Sequence, residues 1–236
     1  LSITAKRLIW GKGLNAGQTC IAPNHLLVQE HLFEHLVNEI TNNLTKFHGP
    51  HPTQSPHLAR IINQRHFNRL NQLLKDAHER GKVLIGGGID EFQKRIELTL
   101  IEVNDYKDPL MEEELFGPLL PIIRIKNLDQ ALNYVREQPK PLALYLFGGN
   151  ATEQQKLIQT TSSGGVCLND VILQAGIPEL PFGGVGASGM GNYHGLAGFE
   201  TFSHKKSVLQ RSFWLDINLR YPPYQAGLSY LKKLIN

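Results

Sequence analysis

From residue 96 onward, apolar runs of strand length alternate with segments of helical period, and this alternation restricts the chain to an α/β layer architecture. Ile96 to Val103, Leu119 to Ile125, Leu142 to Phe147 and Gly165 to Leu168 read as strands, with helices near Asp129 to Glu137 and Thr152 to Thr161. The first half has the same character. Residues 1–14 set Ile3, Leu8, Ile9 and Trp10 on a helical face that ends at Asn15-Ala16-Gly17, and His25 to Val28 reads as a strand. Apolar residues at Leu32, Phe33, Leu36, Val37, Ile40 and Leu44 predict a helix over 30–47. Pro50, Pro52 and Pro56 break the chain before a second long helix, which stops at Gly81 and is followed by a short strand at Lys82 to Ile85. From Ala175 to Gly198 the chain is glycine-rich and aperiodic, a long loop of the kind that usually carries function.

Composition removes several classes of function. With 236 residues, 41% hydrophobic and 19% charged, the chain is long and apolar enough to bury a substantial core as an ordinary globular protein. Its net charge of +3 comes from scattered basic residues, which leaves no footprint for nucleic acid. Two cysteines, Cys20 and Cys167, cannot make a disulfide framework and suit a reducing compartment. No apolar run reaches the about eighteen residues of a membrane span. Leu1 opens in the middle of a helical pattern without a signal-peptide signature, so further chain is expected before it.

Cys20 follows the small, flexible Asn15-Ala16-Gly17-Gln18-Thr19 and precedes Ile21-Ala22-Pro23, a setting that exposes a thiol on a loop, whereas Cys167 lies in the apolar run Gly165 to Leu168 and reads as buried. Glu112-Glu113-Glu114-Leu115-Phe116-Gly117-Pro118 sets three carboxylates before a turn at a strand start, a place from which a side chain can be aimed into a cleft. Two other patterns are decoys. Gly184, Gly186 and Gly189 have the spacing of a dinucleotide fingerprint, but Pro178 and Pro181 stand where its strand is required. His31-Leu32-Phe33-Glu34-His35 fits an inverted zinc-peptidase pattern with Glu112 to Glu114 as a source of a third ligand, yet such short patterns arise by chance.

The chain resembles the class 3, fatty-aldehyde-type branch of the aldehyde dehydrogenase superfamily. The resemblance rests on Trp10-Gly11-Lys12, Asn15 to Pro23, Glu113 to Pro118, Asn169-Asp170-Val171, Pro181 to Gly195 and Phe199 to His204, all in family order. It implies the C-terminal, catalytic-domain portion of such an enzyme. The fold implied is α/β, a largely parallel sheet flanked by helices over 1–199, with an oligomerisation strand over 200–212 and a tail over 213–236. In that tail Leu228, Leu231 and Ile235 would line a short amphipathic helix in weak contact with a membrane surface.

The function implied is NAD- or NADP-dependent oxidation of a medium- or long-chain aliphatic aldehyde to a carboxylic acid. Cys20 is the implied nucleophile, forming a thiohemiacetal and then a thioester. Glu114 would hold the nicotinamide ribose and Phe116 would lie beside the nicotinamide. Asn169 would brace the catalytic loop, while Asn15, Phe182 and His194 would line the site. A homodimer through 200–212 and a cytoplasmic location, at most peripheral to a membrane, complete the expectation. The general-base glutamate, the oxyanion asparagine and the cofactor domain would lie upstream, so this chain alone would be inactive. Two other classes stay open: a zinc hydrolase using His31, Glu34 and His35, and a non-catalytic remnant that serves as an interaction module.

Overall fold

A computed structural model describes residues 1–214, 216, 220–223 and 232. They divide into two units, 1–202 and 203–236. The first unit runs α1 (Ser2–Gly13), β1 (Leu26–Gln29), α2 (Phe33–His48), α3 (Gln64–Glu79), β2 (Val83–Ile85), β3 (Ile89–Asp90), β4 (Arg95–Ile96), β5 (Thr99–Glu102), α4 (Pro109–Glu112), β6 (Leu119–Ile125), α5 (Leu128–Glu137), β7 (Ala143–Leu146), α6 (Ala151–Thr160), β8 (Gly165–Leu168) and α7 (Gly195–Thr201).

The main sheet has the order β1-β6-β5-β2. β6 pairs in parallel with β1 and β5, with Leu26 opposite Ile122 and Thr99 opposite Leu119, and β2 closes the edge antiparallel to β5. β6 is buried at Leu119 to Ile123, as expected of a central strand covered on both faces. Alternation along the strands sends side chains into two cores. Ile101, Leu119, Ile123 and Ile125 meet Phe67, Leu70 and Leu74 of α3. Leu100, Leu120 and Ile122 turn the other way, onto α1 and α2 at Leu8, Ile9, Phe33, Leu36 and Ile40. Helices therefore flank the sheet on both faces. A parallel pair, β7 with β8, and an antiparallel pair, β3 with β4, stand as separate small sheets.

Local chemistry sets the helix starts. Asn63 and Asn127 accept the N–H groups of His66 and Gln130 at the heads of α3 and α5, and Asn150 with Glu153 makes a reciprocal capping pair on α6. The run from Ile96 to Val103 is not one strand. Residues 95–96 pair with β3, Glu97 donates its N–H to the Gly88 carbonyl at 2.9 Å, and only 99–102 enter the main sheet. An even apolar run hides such a hand-over between two partner strands.

The oligomerisation strand expected over 200–212 would need a second copy to pair with, and in the single chain this segment follows α7. Glu200 and Thr201 end α7, and the second unit carries no strand over 203–212. A strand requires a ladder, and a single chain brings no second edge to this segment. Within the second unit the Tyr221 hydroxyl donates to Asp216 at 2.7 Å, and the Trp214 N–H donates to the Ser212 hydroxyl at 3.1 Å. The amphipathic tail helix at Leu228, Leu231 and Ile235 lies outside the described residues. Among those described, no helix is long and apolar enough to cross a membrane.

Candidate active site

Between α1 and β1 the chain makes a tight, left-handed detour. Asn15 and Ala16 both have φ 52° and Gly17 has φ 72°, which turns the backbone sharply after the helix. Hydrogen bonds fix the detour at each step. The Asn15 amide donates to the Gln18 carbonyl at 3.0 Å. The Gln18 side chain donates to the carbonyls of Asn15 and Arg60 and accepts the Ile62 N–H at 2.9 Å. The next four residues close a turn in which the Ala22 N–H donates to the Thr19 carbonyl at 2.9 Å, with Cys20 and Ile21 at its two central positions. Cys20 is exposed and Ile21 is buried, so the turn points the thiol out and plugs its neighbour in.

The Glu114 segment lies directly against this detour. A Cβ on Gly17 would sit 2.2 Å from the Gly117 carbonyl oxygen, so the two backbones are in contact and only glycine fits. Asn24 accepts the Leu115 N–H at 2.9 Å, Arg69 donates to the Leu115 carbonyl, and Leu115 is buried in the core of α3. Phe116, at φ 46°, is thrown outward and leaves an exposed ring, and Glu114 is exposed beside it. Desolvation raises the Glu114 carboxyl pKa while Lys12 and Arg69 pull it down.

Lys12, in the last turn of α1, is fully buried. Desolvation lowers its pKa to about 7, against the opposing pull of the Glu114 carboxylate. Next in sequence to Asn24, His25 has its Nδ1 sealed from solvent without a hydrogen-bond partner and lies edge-on to Tyr134. Burial, with Lys12 adding to it, lowers its pKa to about 4.

A third segment, 169–174, reaches the same turn from the end of β8. The Tyr145 hydroxyl of β7 donates to the Ile21 carbonyl at 2.7 Å and accepts N–H groups from Ile172 and Gln174. Asn169 braces a different loop from the one expected: its side chain accepts the Gly148 N–H at 2.8 Å, and its carbonyl accepts Arg7 of α1, which also pairs with Asp170 at 3.4 Å. Cys167 is half-buried; burial raises its thiol pKa and the Asp170 carboxylate adds to the rise.

Phe182 and His194 come together in the glycine-rich loop. Phe182 bridges Tyr193 in antiparallel fashion, its ring lies 6.1 Å from that of His194, and His194 Nδ1 lies 3.1 Å from the Leu180 carbonyl. The loop walls a pocket of about 430 Å³ with Ser163 and Gly164, and neither Cys20 nor Glu114 lines it. Gly184 to Gly189 form no strand-turn-helix; a short turn at Gly186–Ser188 fills that place.

The zinc pattern does not assemble. His31 lies in a turn before α2, Glu34 pairs with Arg124 at 2.9 Å, and His35 faces Glu39 at 3.8 Å. Among the described residues no group of three or more His, Cys, Asp or Glu could hold a metal ion. Sequence reasoning assigned no role to Gln18, Asn24, Arg7, Arg69 or Tyr145, which hold the three segments together. Gln18 was within reach, since it lies inside the cysteine motif itself.

Comparison with known proteins gives a consistent picture. A model described as the aldehyde dehydrogenase family matches residues 1–208. The chain is 40% identical over 232 residues to a 4,4'-diaponeurosporen-aldehyde dehydrogenase of Staphylococcus aureus, covering 98% of this chain and 50% of that protein. It is 44% identical over 226 residues to aldehyde dehydrogenase family 3 member B1 of Mus musculus, covering 95% and 47%. A solved structure, the substrate-bound state of Staphylococcus aureus AldH, superposes with a TM-score of 0.89 at 40% identity, covering all of this chain and 51% of that one. The chain thus spans about half the length of the curated relatives it matches.

The two buried basic groups both make stability rise with pH, each in its own window. Between pH 6.5 and 4 the unfolded chain protonates His25 while the folded one does not, so stability falls by roughly 3 kcal/mol as pH drops through that window. Above pH 7 the folded chain has released the Lys12 proton that the unfolded chain keeps up to about 10.5, so stability rises with pH. Urea titrations across pH should show both limbs, His25→Leu flattening the acid limb and Lys12→Met the alkaline one.

Proposed function

The chain belongs to the aldehyde dehydrogenase family, and from that membership we propose that it carries the thiol half of an active site that oxidises aldehydes to carboxylic acids with NAD or NADP. The observation that carries this reading is the exposed Cys20 turn held against the Glu114–Phe116 loop.

Cys20 adds through its sulfur to the aldehyde carbonyl carbon, and its own backbone N–H serves as one donor to the oxyanion. Once hydride has left, the acyl group remains on Cys20 as a thioester until water releases the acid and restores the thiol. The cofactor supplies the hydride acceptor, its nicotinamide ring. Glu114 and Phe116 fit such a group, because a carboxylate accepts from both ribose hydroxyls and an exposed ring offers an apolar face. Asn15 holds the nucleophile detour. Asn169 braces the neighbouring loop through Gly148, and Phe182 with His194 forms the aldehyde-side wall. A medium- or long-chain aliphatic aldehyde is the proposed substrate; the Staphylococcus aureus relative is named for 4,4'-diaponeurosporen-aldehyde. The general base, the oxyanion asparagine and most of the cofactor domain are assigned to the half of the family enzyme that this chain does not span, so the chain alone turns over slowly or not at all. Residues 200–212 are proposed to pair with a second copy, where the exposed Val208 and Leu209 would gain a partner.

Three measurements test this. In native alkylation with iodoacetamide read by mass spectrometry, Cys20 should react at least about tenfold faster than Cys167, whose thiol is burdened by burial; comparable rates would sink the nucleophile assignment. Calorimetric titration with NAD and NADP should show Glu114→Gln weakening binding by about tenfold, the loss of one charge-assisted hydrogen bond. Sedimentation of a Val208→Pro variant should give monomer where the parent gives dimer, because proline removes a ladder donor.

A further inference from the structure

We propose that Tyr145 is a positioning residue for the Cys20 nucleophile, its phenol oxygen serving as the junction through which β7 and the 169–174 segment hold the turn that presents the thiol. The inference deepens the function proposed above and rests on Cys20 being the nucleophile.

The phenol oxygen has one proton to give and two lone pairs to fill, and the structure uses all three. The proton goes to the Ile21 carbonyl at 2.7 Å, one residue past Cys20, while the lone pairs take the Ile172 N–H at 3.2 Å and the Gln174 side-chain amide at 3.1 Å. Tyr145 is itself rigid, being paired in register with Cys167 in the β7–β8 ladder and packed against the core shared by α1, α2 and β1. The Cys20 turn has a single internal hydrogen bond, from Ala22 to Thr19, so the Ile21 carbonyl would be free to swing without the phenol. On the other side Ile172 sits at φ 67°, a conformation unfavourable for a β-branched residue, and its N–H is held by the same oxygen. Removing one oxygen atom therefore releases the turn and the strained segment together. Burial raises the phenol pKa against the opposing pull of the hydrogen bonds from Gln174 and Ile172, which favours the protonated form that donates to Ile21.

A tyrosine that merely satisfied buried polar groups would change stability and leave the thiol's chemistry alone. The test compares the parent, Tyr145→Phe and Gln174→Ala by following Cys20 and Cys167 alkylation across pH, with amide exchange at residues 20–22. In Tyr145→Phe, Cys20 should alkylate about threefold more slowly, the factor that one net hydrogen bond supplies, with faster exchange at 20–22 and Cys167 unchanged. Gln174→Ala keeps the bond to Ile21 and should match the parent. If Tyr145→Phe does not fold, a fluorinated tyrosine placed at 145 keeps all three hydrogen bonds until its phenol ionises nearer neutrality. The Cys20 pH profile should then gain a second inflection at that ionisation. Cys20 rates and exchange equal to the parent in Tyr145→Phe, or no second inflection with the fluorinated residue, would overturn the proposal. Failure of the underlying reading appears separately, as an unreactive Cys20 in the parent.

Discussion

Everything at the site depends on one backbone contact, that of Gly17 with Gly117. A Cβ at Gly17 would stand 2.2 Å from a carbonyl oxygen and 2.7 Å from its carbon, distances that no side chain keeps, and the residue is held at φ 72° besides. The constraint is thus double, conformational and steric, and glycine is the one residue that meets both. The contact is not isolated. Asn24 and Arg69 take the N–H and carbonyl of Leu115 on the same segment, and Leu115 itself is buried, so the Glu114 loop is pinned from three directions while Glu114 and Phe116 remain outside. The loop that carries Cys20 and the loop that carries Glu114 come together because their backbones touch.

That proximity has an electrostatic cost. Lys12 ends α1 beneath the same loops, and its desolvation outweighs the attraction of Glu114, leaving it close to half-protonated near neutrality. Burial, and after it the Lys12 charge, holds His25 neutral nearby. A lysine that satisfied only packing could be replaced by an apolar residue of similar volume without this cost. Its place here is tied to the carboxylate it faces, the group proposed to bind the cofactor ribose.

Much of the fold was legible because periodicity reports burial directly. β6 follows the expected run at Leu119 to Ile125, and the helices at 33–48, 64–79, 128–137 and 151–160 lie where their apolar stripes put them, the last three capped by Asn63, Asn127 and Asn150. The motif around Cys20 and the Glu114 segment could be read for the same reason, since glycine, proline and carboxylates in a fixed string leave few alternatives. Tyr145 could not. It lies in an apolar strand, Leu-Ala-Leu-Tyr-Leu, where its ring reads as core, and nothing local reveals that its oxygen meets Ile21, 124 residues earlier in the chain. The hand-over at Glu97 escaped for a related reason: it depends on which partner strand is available, a property of the neighbouring strands and not of the segment.

The same dependence on partners bears on the apolar surface that the chain exposes around α7. The two faces of the main sheet are covered within the chain by α1, α2 and α3, so the core is complete without outside help. By contrast Leu196, Phe199 and Phe202 are 72%, 71% and 86% exposed, on and just beyond a helix of only seven residues. A single exposed leucine is ordinary, but three large apolar side chains on and just beyond so short a helix form a surface that the described residues leave uncovered. Stability and function therefore separate in this molecule. The turn that presents Cys20 is anchored on the finished core through Gln18, Ile21 and Tyr145, while the aromatic loop at Phe182 and His194 lies next to the unfinished surface. The thiol proposed as the nucleophile is seated on the covered core and can keep its geometry even where the rest of the proposed site is supplied by other residues.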